Sequence, residues 1–323
     1  MQIFDKNKIY DFMGYRHVVL AISVFLMVGS MFLFFTKGFN YGIDFSGGTL
    51  IQIKYEGAAP LDDIRKKLES VEALKGASVT EFGSSDEVTI RYSGSSDSLG
   101  VNPGASVSKI LEGTGKFEIR RVDVVGPKVG DDLRKSGIMA LSVSLLLILI
   151  YIAFRFEWRF ALAAIASEIH DVIITVGAII FFNIDVNLDT LAAVLTIVGY
   201  SLNDTIIVFD RIREGVQESK ESDMKHVINE AVSRTLSRTI LTSFTTLISV
   251  VILFFYGGDM IYGFSLIMLV GVLVGTASSV FIAAQALVWL KFNVVNYRAS
   301  LAEKKRKAKE KEKMRSMYEK GMV

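Results

Sequence analysis

One stretch decides the fold of this chain: LDTLAAVLTIVGYSLNDTIIVFDRIR, residues Leu188–Arg213. Apolar residues predominate from Leu191 to Phe209, about the length of helix that crosses the hydrocarbon of a membrane. A carboxylate inside such a span costs roughly 2.5 to 3.5 kcal/mol to insert, so Asp204 is predicted to be a titrating, functional group. The alternative is that Asp204 is a paired structural residue that only fixes helix packing.

The polar residues of this stretch follow a helical period. Thr196, Tyr200, Asn203 and Asp204 are predicted to share one face, with apolar residues such as Val198 opposite. We expect the polar face to lie against other helices or water rather than lipid.

The composition is that of a protein that crosses a membrane several times. Hydrophobic residues make up 51% of the chain, which has 22 Phe and only 3 Pro. There is no cysteine, which excludes disulfides and thiol chemistry. No GxxxxGKS or GxxxxGKT loop is present, so ATP is not expected to be the energy source. His17, His170 and His226 lack the spacing of a metal site, so we expect no metal, no cofactor and no enzymatic activity.

The chain is predicted to divide into four regions. They are an N-terminus with a first membrane helix (1–36), an α+β domain outside the membrane (37–136), membrane helices two to six (137–292) and a basic tail (293–323). The six predicted spans are His17–Phe35, Ile138–Phe154, Phe160–Phe182, Leu188–Arg213, Ile240–Tyr256 and Tyr262–Leu290. The first span has no A-x-A-like cleavage site, so we expect it to be retained.

The outer region alternates predicted strands and helices. Period-2 patterns predict strands over Thr49–Tyr55, Glu87–Tyr92 and Lys116–Val125. Apolar spacing predicts helices over Pro60–Leu74 and Ser106–Gly113. This order predicts a small α+β domain with its helices on one sheet face, able to fold alone from about Gly38 to Val125. Its charges nearly cancel, which argues against a nucleic-acid partner.

Positive charges predict the orientation. Arg155 and Arg159 lie between the second and third spans, and further Lys and Arg residues lie between the fourth and fifth, whereas residues 183–187 and 257–260 have none. The positive-inside rule therefore predicts cytoplasmic termini and an external α+β domain. The basic tail is predicted to be a solvated or disordered topology determinant near anionic membrane lipid. The alternative is a segment that binds the ribosome or another partner.

The fifth span begins with an arginine and a stripe of hydroxyls. Arg238 is followed at helical spacing by Thr242, Thr245 and Ser249. Because a charge at membrane depth needs a partner or water, Arg238 is predicted to pair with Asp204. The alternative is that Arg238 extends to the cytoplasmic headgroups.

The third span carries three ionisable residues, Glu168, His170 and Asp171. Chains of acids and histidines are typical of proton relays in membranes, so a proton-carrying role is one interpretation. The other is that Glu168 lies in the cytoplasmic half and reaches water. The sixth span repeats small residues from Gly271 to Ser279, which predicts a close-packing face.

Seven segments carry a resemblance to a known family. They are YGIDFSGG (Tyr41–Gly48), VGPKVG (Val125–Gly130), RFEWRFAL (Arg155–Leu162), HDVIITVG (His170–Gly177), GYSLNDTIIVFDRIRE (Gly199–Glu214), SRTLSRTILTSFTTL (Ser233–Leu247) and VGTASSVFIAA (Val274–Ala284). Together they resemble the SecF branch of the SecD/SecF family of bacterial protein-export subunits. The motif residues expected to be structural are Gly42, Asp44, Gly47, Gly48, Gly126, Pro127 and Gly130. Glu168 departs from the family pattern, which has a small or apolar residue there, so a further proton site is left open.

The resemblance implies a fold and a role. It implies a polytopic helical protein of six transmembrane helices, half of a bundle of the resistance–nodulation–division (RND) type, with an inserted periplasmic ferredoxin-like α+β domain. It implies the bacterial inner membrane, SecD as the partner subunit, and association with the SecYEG channel and the SecA motor. The implied function is to assist export of unfolded preproteins with the proton-motive force, with proton transfer centred on Asp204 and Arg238.

Two other functions remain possible from the residues. One is a self-sufficient proton-coupled exporter of lipids or small molecules, which would need a roomy apolar pocket in the outer domain. The other is a non-transporting scaffold of the translocon, for which neutralising Asp204 would cost little.

Overall fold

The computed structural model of the chain describes residues 8–93, 102–218 and 223–319. Its helices and strands, in chain order, are α1 (Arg16–Thr36), α2 (Ile43–Ser46), β1 (Gly48–Tyr55), α3 (Leu61–Glu69), β2 (Ser78–Phe82), β3 (Ser84–Tyr92), α4 (Pro103–Ile110), β4 (Phe117–Val125), α5 (Pro127–Arg155), α6 (Trp158–Phe181), α7 (Leu188–Glu218), α8 (Met224–Tyr256), α9 (Tyr262–Ser278), α10 (Ala284–Trp289) and α11 (Val294–Glu319).

Within these ranges, six helical segments are long and apolar enough to cross a membrane, as predicted. They are α1, α5, α6, α7, α8 and the segment Tyr262–Trp289, which combines α9 and α10. The chain is therefore a multi-pass helical membrane protein. In α6, α7 and the last segment, 50% to 56% of the apolar window is buried, against 11% in α1 and α5 and 17% in α8. The segments α6, α7 and Tyr262–Trp289 therefore form the centre of the bundle. The helices α1, α5 and α8 expose apolar faces.

The fifth span begins earlier than predicted, because α8 starts at Met224 rather than near Ile240. Its first turns pack on the last turns of α7, where Val227 and Ile228 are buried in one cluster with Ile212. The last turns of α7 and the first turns of α8 bury only one face of each helix, and charged residues occupy the other faces. The apolar run that marks a membrane span is therefore interrupted in these turns. The hairpin thus extends both helices beyond their apolar segments.

The sixth span is not one regular helix. α9 ends at Ser278 and is followed by a π-helical turn over Ser279–Ala283 before α10 begins. A π turn locally widens the helix and is frequent at functional sites. Here it directly follows a serine that contacts a buried carboxylate.

The outer domain is a four-stranded antiparallel sheet in the order β2-β3-β1-β4. The chain order, β1-α3-β2-β3-α4-β4, is that of the ferredoxin-like fold. Ile51 of β1 lies opposite Ile90 of β3 and Val122 of β4. Ile51, Ile90 and the α3 residues Ile64 and Leu68 are buried in one core. The helices therefore cover one sheet face, as predicted.

Two local features of the domain differ from the sequence prediction. β2 has only two apolar side chains, Val79 and Phe82, so the pattern does not predict this strand, and its pairing with β3 decides it. The helix predicted over Pro60–Leu74 ends at Glu69 and is followed by a separate 3-10 turn over Glu72–Leu74.

The two ends of the bundle differ in charge and in what they carry. The basic end, defined by Arg155, Arg213 and the start of α8, also holds the first described residues. There the Tyr10 N–H donates to Ser233 Oγ at 2.9 Å. The Arg298 side chain of α11 donates to the Val216 carbonyl at the same end. The first described residues and the start of α11 therefore lie opposite the outer domain.

The tail is an exposed helix as far as the structure describes it, which agrees with a solvated segment and not with a disordered one. Ion pairs at i,i+4 spacing join Lys307 to Glu303 at 2.7 Å and Arg306 to Glu310 at 3.5 Å. Such pairs stabilise an exposed helix by roughly 0.2 to 0.5 kcal/mol each.

Candidate functional site: a buried polar cluster in the helix bundle

The centre of the bundle holds a fully buried carboxylate, Asp171 of α6. Its Oδ2 atom accepts hydrogen bonds from Ser201 Oγ of α7 at 2.5 Å and from Ser278 Oγ of α9 at 2.6 Å. Its Oδ1 atom lies 2.8 Å from His170 Nδ1. Hydrogen bonds to a carboxylate are roughly twice as strong as neutral ones. Asp171 therefore ties the three central helices together.

The close approach of α7 and α9 depends on small side chains. A Cβ atom added to Gly275 of α9 would lie 2.9 Å from Cβ of Ser201. The predicted close-packing face of the sixth span is present at this contact. The sequence pattern assigns Ser278 only to that face, because nothing local shows that its hydroxyl meets a carboxylate 107 residues away.

Two ionisable groups beside Asp171 are buried without full hydrogen bonding. Glu168, one turn earlier in α6, is 0% exposed, so it does not reach water in the way that the sequence leaves open. Among the described residues, neither of its carboxylate oxygens has a hydrogen-bond partner, and His170 Nε2 has none. An unpaired buried polar group costs about 1 to 3 kcal/mol. Groups of this kind call for a functional explanation.

Asp204 lies on the buried side of α7 and is 1% exposed. Its Oδ2 atom has no hydrogen-bond partner within the described ranges. The groups that act on it electrostatically are the Ser243 hydroxyl and the Arg238 guanidinium of α8. Ser243 Oγ also lies 2.7 Å from Thr276 Oγ1 of α9, so the surroundings of Asp204 extend to the same helix that contacts Asp171.

The predicted ion pair between Asp204 and Arg238 is absent. In the part of the chain that the structure describes, no carboxylate lies within 4.0 Å of the Arg238 guanidinium. The reason is geometric, since Arg238 is on the exposed face of α8 whereas Asp204 is buried.

The predicted polar seam is divided between two surfaces. Tyr200 is half-buried, with a hydroxyl that has no partner among the described residues. Asn203, Thr245 and Ser249 are exposed, and Thr242 is half-buried. The three α8 hydroxyls donate to carbonyls one turn earlier in their own helix, at 3.0, 2.9 and 3.2 Å. Successive helical residues point about 100° apart, so Asn203 and Asp204 do not both face the interior. We call the exposed residues Asn203, Arg238, Thr245 and Ser249 the exposed polar face.

The motif glycines lie at the domain end, where α2, β1 and α5 meet. Gly47 has a φ of +70°, and a Cβ atom there would lie 2.8 Å from Cα of Pro127. A Cβ atom on Gly130 would lie 2.8 Å from the Gly47 nitrogen. Only glycine permits both the positive φ and this close packing. Gly48 has a φ of +127°, and Gly126 immediately precedes α5.

Two further motif residues contact the connection between α6 and α7. The Gly42 N–H donates to the Val186 carbonyl at 2.9 Å. Asp44 Oδ2 accepts a hydrogen bond from the Leu188 N–H, the first residue of α7, at 3.0 Å. The motif thus joins the outer domain to the helix that carries Asp204.

A cavity of about 930 Å³ lies between the outer domain and the membrane helices. The uncovered sheet face contributes Gln52, Thr89 and Arg121, and the connection between α6 and α7 contributes Ile184 and Asp185. This mixed lining differs from the apolar pocket that a lipid exporter would need.

Comparison with known proteins identifies the family. The family model described as the C-terminal region of the protein export membrane proteins SecD/SecF matches residues 106–293. The model of the SecD/SecF GG motif matches residues 32–59. The chain belongs to the SecD/SecF family.

Curated SecD/SecF relatives match over nearly their whole length. The protein translocase subunit SecF of Helicobacter pylori strain J99 is 45% identical, and the match covers 100% of both chains. The SecF subunit of Vibrio alginolyticus is 44% identical over 88% of this chain and 90% of its own. That of Escherichia coli O157:H7 is 39% identical over 88% of each.

Solved SecDF structures share the fold. SecDF of Thermus thermophilus, described as a translocon-associated membrane protein, matches with a TM-score of 0.81 and 34% identity. The match covers 90% of this chain and 40% of that one. A SecDF structure in a super-membrane-facing form matches with a TM-score of 0.67 and 33% identity, covering 94% and 41%. The chain thus spans about two-fifths of these SecDF chains.

Proposed function

We propose that this chain is the SecF-type subunit of a bacterial protein-export complex and works with a SecD-type partner. Its curated relatives are named protein translocase subunit SecF. The chain corresponds to 40% of a solved SecDF chain, so the partner would supply the rest of the bundle.

The complex would use the proton-motive force to assist export of unfolded preproteins. It would act at the SecYEG channel, drawing the preprotein to the outer side after the ATP-driven SecA motor has pushed it from the cytoplasm. One proton that crosses 100 mV releases about 2.3 kcal/mol, before any pH gradient is added. This free energy is enough to bias a conformational step.

The observation that carries the proposal is Asp204. Its carboxylate is 1% exposed, and one oxygen has no partner among the described residues. A membrane-buried carboxylate without a fixed counter-charge is suited to proton exchange when the surrounding helices rearrange. Proton uptake from outside would weaken its interaction with Arg238, and release inside would restore it. Each proton would thus drive a change between α7 and α8.

Glu168, His170 and Asp171 would provide further proton-carrying groups inside the chain. The contact of His170 with Asp171, and the buried Glu168 one turn away, have the composition of a proton relay. The serines that hold Asp171 on α7 and α9 would link its protonation to the packing of the same helices.

The exposed polar face supports the need for a partner. Asn203 and Arg238 would be unfavourable against lipid, because polar groups there lack water to solvate them. Thr245 and Ser249 are less costly, since their hydroxyls bond to carbonyls of their own helix. A SecD-type bundle of six further spans would cover this face and complete an RND-type arrangement of twelve.

We place the protein in the inner membrane, with both termini in the cytoplasm and the outer domain in the periplasm. The support is the charge asymmetry, because the connections at the basic end carry the Lys and Arg residues. No nucleic-acid partner is proposed.

The decisive experiment replaces Asp204 with Asn, which keeps its size and removes its titration. Preprotein translocation into inverted vesicles would be measured with and without a proton gradient. We expect Asp204→Asn to abolish the gradient-dependent part and to leave the ATP-driven early step intact. Arg238→Ala should also lose the gradient-dependent part of translocation. Arg238→Lys should retain some of it, because lysine keeps the charge.

The matched control is Asp132→Asn, the same chemical change at an exposed position of α5. It should respond to the gradient as the wild type does. A full response of Asp204→Asn at normal complex levels would make Asp204 structural and favour the scaffold function.

A further inference from the structure

Four polar side chains connect the outer domain to the N-terminal end of α7. We call Asn40, Asp44, Arg91 and Asp185 the joint. Arg91 of β3 forms an ion pair with Asp185 of the α6–α7 connection at 3.0 Å. The same guanidinium donates to Asn40 Oδ1 at 3.1 Å, and Asn40 Nδ2 donates to Asp185 Oδ1 at 2.5 Å. Arg91 of the domain is therefore bound both by the segment between α1 and α2 and by the segment between α6 and α7.

Asp44 connects this network to α7 itself. Its carboxylate accepts the N–H of Leu188, which has no partner within the helix. The N–H of Thr190, two residues later, is capped by a neighbouring residue instead, since it donates to Asn187 Oδ1 at 2.9 Å. A negative charge at a helix N-terminus is favourable because of the helix dipole. Asp44 thus supplies a bond to Leu188 that the residues at the start of α7 do not, and it adds a second negative charge to that of Asp189 in the first turn.

The backbone at the joint leaves little freedom for independent movement. The Val186 N–H donates to the Asn40 carbonyl at 2.8 Å, and Tyr41 pairs with Val186 in a parallel bridge. Asp44 lies only a few residues before β1, and Gly47 packs directly on Pro127 of α5. The start of α7, α2 and the first strand of the domain are consequently one packed unit.

We propose that the joint positions Asp204 by making α7 follow the outer domain. The inference rests on the proposed proton-driven function. At a rise of about 1.5 Å per residue, Asp204 lies roughly 24 Å along α7 from Leu188. An intact helix transmits an axial displacement over that distance, so movement of the domain on a preprotein moves the carboxylate relative to Ser243 and Arg238 on α8. Asp44 and Arg91 are positioning residues for proton exchange.

The joint contributes to position more than to folding. The Arg91 side chain is 21% exposed and that of Asp185 is 43% exposed. Partly exposed ion pairs contribute little to stability, so variants of Arg91 and Asp185 should fold and assemble. The abundance of the complex is measured alongside for Asp44→Ala. Loss of coupling is therefore measurable in a complex of normal abundance.

The experiment first removes contacts of the joint by substitution and then replaces them with an engineered disulfide. Asp44→Ala is expected to reduce the gradient-dependent part of translocation about fivefold, the change in an equilibrium that corresponds to the roughly 1 kcal/mol typically lost with a helix cap. Arg91→Ala should reduce it as well, with Arg91→Lys partly active. The control is Arg120→Ala, an exposed arginine of the same domain whose ion pair with Glu118 is 3.7 Å long. ATP-driven translocation should be unchanged in all of them.

A disulfide then tests whether the role is mechanical. The chain has no cysteine of its own, and paired strand residues lie within the Cα separation of about 4.4 to 6.8 Å that a disulfide spans. Tyr41→Cys with Val186→Cys, added to Asp44→Ala, should restore the gradient response when oxidised and lose it again on reduction. A merely structural role would not respond reversibly to a reductant.

Three results would overturn the inference. They are a full response in Asp44→Ala, no rescue by the oxidised disulfide, and loss of the response when the disulfide is formed in an otherwise wild-type chain. The last would mean that the joint must open. A wild-type complex with no gradient response would instead refute the proposed function, so the two failures are distinguishable.

Discussion

The hydrogen bond from Ser278 to Asp171 allows a quantitative prediction. Ser278→Ala removes one hydroxyl and leaves the carboxylate with Ser201 and His170. Hydrogen bonds to charged groups contribute roughly 1.5 to 3 kcal/mol in soluble proteins. Interhelical bonds in membranes average about 0.6 and reach about 1.7 kcal/mol. This bond is 2.6 Å long and reaches a fully buried carboxylate, so its contribution belongs at the upper end of the range for membrane proteins. We expect Ser278→Ala to lower the free energy of unfolding by about 1 to 2 kcal/mol.

The double variant Ser201→Ala, Ser278→Ala should lose more free energy of unfolding than the two single variants lose together. With Ser201→Ala as well, Asp171 Oδ2 loses both of the donors that contact it, and a buried unpaired acceptor carries an additional cost of about 1 kcal/mol or more. Reversible unfolding of the purified chain in mixed micelles with increasing SDS, followed by circular dichroism, would measure the free energies.

The matched control is Ser265→Ala. Ser265 is also fully buried on α9, but its hydroxyl donates to carbonyls of its own segment, Ile261 at 2.8 Å and Tyr262 at 3.0 Å. Its replacement should cost less than about 0.5 kcal/mol, because no bond between helices is lost. Equal losses for Ser278→Ala and Ser265→Ala would refute the assignment of Asp171 as the link between the central helices.

Three further predictions concern orientation, packing and pH. Ser70→Cys should react with a membrane-impermeant reagent in intact spheroplasts and Ser300→Cys should not; the opposite pattern would invert the topology. Gly47→Ala should lower thermal stability by about 2 kcal/mol or more, because a positive φ and a backbone contact at 2.8 Å both oppose a Cβ atom. Gly57→Ala, with nothing within 4 Å, is its control, and equal melting temperatures would contradict the packing argument. Burial raises the pKa of Tyr55, against an opposing hydrogen bond with a threonine. Folding therefore favours its protonated form, so the isolated domain should lose stability as the pH rises above about 10, and Tyr55→Phe should reduce that loss in a pH series of melting curves.

The sequence by itself determined the elements of this protein. Six spans follow from apolar runs of membrane length, because a chain in lipid must satisfy its backbone hydrogen bonds within helices. The outer domain follows from a period-2 pattern that half-buried strands impose. The long, ordered motifs also determined the family. These signals are local, so neighbouring residues suffice to express them.

Tertiary structure alone decided which polar groups meet. Asn203 and Asp204 are adjacent in a polar run, yet one is exposed and the other buried, because the positions of α8 and α9 determine which side of α7 is interior. The bond from Leu188 to Asp44 joins residues separated by 144 positions, and that from Ser278 to Asp171 joins residues separated by 107. β2 exists through its pairing with β3. Each of these depends on contacts between distant segments, and a single sequence carries no periodic signal for such contacts.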